Sequence, residues 1–258
     1  MERLAIRGTE LAVRQSGAGE RDLVFVHGFQ HDHAAWQPLV ERLQDRYRCT
    51  AFDLAGCGSS GGVASGQRCS IDEYARDLVA VCDELGLAEP VVVGHSLGGG
   101  IAMRAALDEP ERFGGLLLVA PASTSGFDFL PDEAAFQALA HPTPEQRLAL
   151  ARAAFRRPPG EDYVARLLEV VEAATDEHVE GAAVAMRDFS PELAPLATPA
   201  LLVCGDRDKH VPLRNHLATH RAIPRCGLQV YFDVGHAPHA EVPDACAADV
   251  DHFLRGLK

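Results

Sequence analysis

Three features are missing from this 258-residue chain. No run of Lys or Arg interrupts a formal net charge of -13, so the average field repels polyanions and nucleic acid is disfavoured as a partner. No apolar stretch approaches the roughly 20 residues that span a bilayer. The N-terminal MERLAIRGTELAVRQSG scatters charge from Glu2 onward and holds no apolar segment of secretory length. A cytoplasmic protein without a membrane partner is the expectation. Nor is there a CxxC: the seven cysteines are odd in number and widely spaced, which argues against a disulfide framework or a zinc knuckle.

What is present is a core. With 47% hydrophobic residues the chain can bury one sizeable α/β domain and carry an insertion. Short β-branched runs predict strands over 3 to 7, 10 to 15, 22 to 27, 48 to 53, 90 to 95, 115 to 120, 199 to 204 and 228 to 233. The runs LVFV, VVV, LLLV and ALLV are continuously apolar, the pattern of a mostly parallel sheet with helices on both faces. Helical spacing recurs between them, as in Trp36, Leu39, Val40 and Leu43, or Ile71, Tyr74, Ala75 and Leu78. SIDE at 70 to 73 and TPEQ at 143 to 146 read as capping boxes. From 122 to 195 strands give way to helical patterns, so residues 1–121 and 196–258 are expected to form the core and 122–195 a helical cap inserted after the sixth strand.

The stretch VVVGHSLGGGIAM, residues 91 to 103, carries the chemistry. A buried strand meets a helix within a few residues, so Ser96 must sit on a sharp, strained turn. Gly94 and Gly98 remove β-carbons that would collide there, and the hydroxyl is left beside a helix N-terminus. This strand–turn–helix resembles the nucleophile elbow of the α/β-hydrolase family, and the resemblance covers nearly all of residues 10 to 257 outside the inserted helices.

The resemblance implies a nucleophile, acid and base in that chain order. GDRDKHVP at 205 to 212 matches the family's G-x-x-D-x-x-x-P and selects Asp208 over Asp206; VYFDVGHAPHAEVP places His236 after the last strand, with His239, lining the loop or solvated, as competitor. His236 would take the Ser96 proton and return it to the leaving group, while Asp208 holds the imidazole in the right tautomer. HGF at 27 to 29 resembles the family's oxyanion loop, implicating the backbone N–H of Phe29 together with that of Leu97. DLAGCGSS at 53 to 60 resembles a structural loop tied by Asp53, and Cys57 within it is expected to be inert. His27, His31 and His33 lack a carboxylate cluster beyond Asp32, so neither a metal nor any other cofactor is expected.

Among relatives of this fold, those that place aspartate at the nucleophile position, or lysine beside the catalytic histidine, do not match Ser96 and Ala237, and C–C hydrolases usually carry a more glycine-rich oxyanion loop. Hydrolysis of an ester, lactone or thioester remains. The cap would cover Ser96 and offer Phe127, Phe129, Leu130, Phe136, Phe155 and Met186 to a small or medium, largely apolar substrate. HGFQHDHAAW and GHAPH also resemble a subgroup in which the fold serves as a small-molecule receptor or signalling partner with slow turnover, and that alternative stays open.

Overall fold

A computed structural model describes residues 1–62, 69–187 and 189–257. Eight strands, β1 (Glu2–Ile6), β2 (Thr9–Ser16), β3 (Asp22–Val26), β4 (Arg48–Phe52), β5 (Val91–His95), β6 (Gly115–Val119), β7 (Ala200–Gly205) and β8 (Cys226–Tyr231), form one sheet. Their order is β1-β2-β4-β3-β5-β6-β7-β8, and only the β1–β2 and β2–β4 pairings are antiparallel.

The apolar runs alternate between two cores. Along β3, Leu23 and Phe25 enter one cluster while Val24 and Val26 enter the other; on β6, Leu117 and Val119 oppose Leu116 and Leu118 in the same way. A two-residue period with apolar groups on both sides leaves no solvated face, so both must be covered. Helices α2 (Ile71–Glu84) and α3 (Leu97–Asp108) supply Leu78, Val81, Ile101 and Ala105 to the cluster of Val24, Val26, Leu116 and Leu118. On the other face, α1 (Gln37–Leu43) and α10 (Pro243–Gly256) supply Leu39, Leu43, Val250 and Leu254 around Trp36. Two further helices, α8 (Leu213–Ala222) and the four-residue α9 (Pro238–Glu241), follow β7 and β8.

Among the described residues, every element between β6 and β7 is a helix: α4 (Glu133–Ala140), α5 (Pro144–Ala153), α6 (Glu161–Ala173) and α7 (Asp176–Arg187). α5 begins with a complete capping box, Thr143 and Gln146 each satisfying the other's amide. The box expected at Ser70 is half made. Ser70 caps the Glu73 amide, but the Glu73 carboxylate is drawn away to Arg7 and Arg76. β8 also ends earlier than the apolar pattern suggests, because Asp233 turns to a φ of 55° and gives its N–H to Asp206 Oδ1 at 2.6 Å.

Candidate active site

β5 passes into α3 through Ser96, whose φ of 51° and ψ of -116° are costly for a residue with a β-carbon. Main-chain bonds on both sides of the residue hold it there, among them one from the Gly100 N–H to its carbonyl at 3.2 Å. Its N–H donates to the Val119 carbonyl at 3.0 Å, and its carbonyl accepts from Gly99 at 2.9 Å and Ala122 at 2.8 Å. A Cβ at Gly94 would overlap the Gly98 carbonyl, and one at Gly98 would overlap that of Val26, so the elbow closes only because both are glycine.

Asp208 leaves β7 on a turn whose geometry saturates its carboxylate. Oδ1 accepts the N–H groups of His210 at 2.8 Å and Val211 at 2.9 Å; Oδ2 lies 2.7 Å from His236 Nδ1 and 3.1 Å from His216 Nε2. Burial by itself would raise this carboxyl's pKa, but its interaction with the adjacent His236 and the donors from His216 and His236 outweigh it and hold the group far below the ordinary carboxylate range. A carboxylate only accepts, so His236 carries its proton on Nδ1 and leaves Nε2 as an acceptor. The His236 main chain is fixed as well: its N–H donates to Ala154 O at 2.7 Å and its carbonyl accepts from His95 Nε2 at 2.9 Å.

The inserted helices are stitched to this histidine loop. Glu241 Oε1 accepts the Gly235 N–H at 2.9 Å, and Oε2 accepts those of Arg156 at 2.9 Å and Arg157 at 2.7 Å, while both arginines also pair with Asp233. His239, expected to line the loop or meet solvent, is instead buried between Trp36 and His95, at ring separations of 4.6 and 4.5 Å. His31 and His210 stay neutral beside the site: burial and neighbouring imidazoles push their pKa values down to about 3 and about 4. Ser96 and His236 line the same cavity, and among the described residues the hydroxyl makes no hydrogen bond to the ring.

Phe29 N–H and Leu97 N–H, the expected oxyanion donors, are given to no other group among the described residues. Phe29 stacks on His178 of α7 at 5.6 Å. The adjoining loops are tied by side chains. Asp53 Oδ1 accepts the His33 N–H and ring Nδ1, each at 2.7 Å, and Oδ2 accepts Ser59 N–H at 2.7 Å. Asp32, His33 and Asp53 bring ligand-type atoms within 4.8 Å of one another, yet Asp32 is committed to Ala34 N–H and Arg166. These atoms form a hydrogen-bonded knot with its acceptors already engaged. Cys57 is buried, which raises its thiol pKa well above the usual value.

A cavity of about 210 Å³ lies over Ser96 and His236. Of the apolar residues expected there, Phe127, Phe129, Leu130 and Met186 line it. Phe136 and Phe155 do not. Phe136 packs with Ala140 and Ala183 inside the insertion, under the Arg187 guanidinium at 4.1 Å, and Phe155 turns its edge to Tyr163 at 5.9 Å. The wall is completed by Gln30, Lys209 and His210, together with small side chains of α5 such as Ala151. His216, Gln30 and Glu241 were not singled out in the sequence. Only Glu241 carried a signal, its place before Pro243 in the histidine motif.

The described residues contain no helix long and apolar enough to cross a membrane. The model of the Alpha/beta hydrolase family matches residues 23–249. The chain is 28% identical over 273 residues to the pimeloyl-[acyl-carrier protein] methyl ester esterase of Aliivibrio salmonicida, covering 96% of this chain and 97% of that protein. It is 34% identical over 116 residues to the dihydrolipoyllysine-residue acetyltransferase component of the acetoin cleaving system of Cupriavidus necator, but there it spans only 30% of the relative's length. A solved structure described as an N-acyl homoserine lactone degrading enzyme superposes with a TM-score of 0.86 at 27% identity, covering 98% of this chain and all of that one. The sheet order, the elbow at Ser96 and a family match over most of its length place this chain in the alpha/beta hydrolase family.

Proposed function

We propose that the chain is a serine hydrolase that cleaves a carboxylic ester, lactone or thioester of a small to medium, largely apolar substrate through an acyl-enzyme on Ser96. The observation that carries this reading is the Asp208–His236 bond of 2.7 Å beside a strained Ser96 in one mostly apolar cavity. Relatives named for methyl ester and lactone cleavage support the bond class.

In this mechanism Ser96 Oγ attacks the substrate carbonyl carbon as His236 Nε2 accepts the hydroxyl proton. The tetrahedral oxyanion takes the two open N–H groups of Phe29 and Leu97, and each such donor contributes about 3 kcal/mol in comparable sites. His236 then gives the proton to the departing alkoxide or thiolate. Water, activated by the same imidazole, releases the acid and restores Ser96. Substrate binding would draw the hydroxyl and ring into contact, since such bonds often tighten only in the complex. The helices within 122–195 act as a cap that excludes water, and residues 1–121 and 196–258 act as the catalytic core.

Multiple turnover of short-chain p-nitrophenyl esters, lost in Ser96→Ala, tests the reading. Undetectable turnover combined with tight ligand binding retained in Ser96→Ala would favour a receptor on the same fold.

A further inference from the structure

Gln30 is costly to the chain in two ways. Its backbone is held at a φ of 55°, a left-handed conformation that a glycine would adopt more easily. The residue is 4% exposed, and its Nε2 has no hydrogen-bond partner among the described residues. Leaving a buried amide donor unpaired is as unfavourable as losing a hydrogen bond outright. Neither cost is imposed by the core, because Gln30 lines the cavity that holds Ser96 and His236.

The strained backbone is locked by a relay of neutral groups. Tyr74 OH donates to Ala55 O at 3.1 Å and lies 2.9 Å from His178 Nδ1, while the Gln30 N–H points to His178 Nε2 at 3.4 Å. With Tyr74 donating to Ala55, the ring must donate through Nδ1 and accept through Nε2. Burial lowers the His178 pKa to about 3, which keeps Nε2 able to accept. The relay therefore fixes the main chain of a residue that lines the cavity next to Phe29. His210 also lines the cavity with an unpartnered nitrogen, but its ring lies flat against His236 at 4.9 Å, a packing role that Gln30 lacks.

We propose that Gln30 is a substrate-recognition residue whose amide N–H donates to a second carbonyl oxygen on an otherwise apolar acyl group. Preferred substrates are then oxo-acyl esters and lactones rather than plain fatty acyl ones. A wall that is otherwise largely apolar gives a methylene chain little discrimination, whereas a buried donor that must be paired rejects the analogue lacking its acceptor strongly. This rests on the hydrolase reading above.

The test is the ratio of kcat/KM for p-nitrophenyl 4-oxopentanoate and 5-oxohexanoate over pentanoate and hexanoate. The wild-type enzyme should prefer at least one oxo ester by about tenfold or more. In Gln30→Leu and Gln30→Met that ratio should fall to near unity. A wild-type ratio near unity for both pairs overturns the proposal, as does a preference that survives both substitutions. A uniform loss on all four esters would assign Gln30 to the fold or the oxyanion and overturn it too. If no ester is turned over, calorimetry of Ser96→Ala with methyl 5-oxohexanoate against methyl hexanoate reads the same preference without chemistry. Failure of hydrolysis and failure of recognition are thus separate results.

Discussion

His216 and His236 converge on one atom: Asp208 Oδ2 lies 3.1 Å from His216 Nε2 and 2.7 Å from His236 Nδ1. Both rings are buried, and no solvent molecule could replace the His216 donor without a cavity forming first. His216 therefore fixes the rotamer of the carboxylate that aims His236. His216→Leu should lower kcat for an activated ester by about tenfold with little change in KM, since a small misplacement of a reacting group is costly. His216→Gln, which keeps a donor, should recover most of it. Saturation kinetics on the three proteins decide the point. Equal losses in both variants would show that the ring's packing, not its donor, matters.

Asp208→Asn should preserve the fold and reduce kcat by about four orders of magnitude, the size seen when a triad carboxylate becomes an amide and the imidazole is held in the wrong tautomer. A stopped assay comparing wild type, Asp208→Asn and Asp206→Asn separates the two aspartates of the GDRD turn. Loss in Asp206→Asn instead would reassign the acid.

Stability should fall on the acid side. The buried His178 and the half-buried His31 remain neutral in the folded chain down to about pH 3, whereas the same imidazoles in the unfolded chain take up protons from about pH 6.5. Between those limits the unfolded state binds more protons, so each group removes about 1.4 kcal/mol per pH unit as pH drops. Asp208, depressed when folded, adds its own loss below about pH 4, where the unfolded carboxyl protonates. Urea midpoints at pH 7.0, 6.0 and 5.0 should decline progressively. A midpoint independent of pH over that interval would contradict the neutral imidazoles.

Leu117 is fully buried at the centre of β6, in the cluster with Phe25 and Val203. Leu117→Ala should cost about 2–5 kcal/mol, from lost transfer energy and the cavity left behind. Chemical denaturation measures it directly.

The sheet was legible because its period was. Continuous apolar runs have one explanation in a chain of this size, and β3 and β6 alternate between two cores as that explanation requires. That Asp208 and His236 would come into contact followed from the family resemblance of their two loops. The Ser70 box was not legible, since its fate depends on Arg7 arriving from the turn between β1 and β2. Phe136 and Phe155 share the composition of cavity residues, and only their packing, Phe136 within the insertion and Phe155 against Tyr163 of α6, separates them from Phe127 and Met186. His216 and Gln30 left no local trace at all: one matters through a carboxylate eight residues away in chain, the other through a vacant donor that only burial makes expensive.

The bond from His236 N–H to Ala154 O, reinforced by Glu241 across Gly235, Arg156 and Arg157, gives the inserted segment a mechanical hold on the His236 imidazole. Any displacement of the 154–157 segment must either snap that bond or drag the imidazole with it. On the mechanism proposed above, moving this segment to admit substrate would also unseat the imidazole from its place beside Ser96.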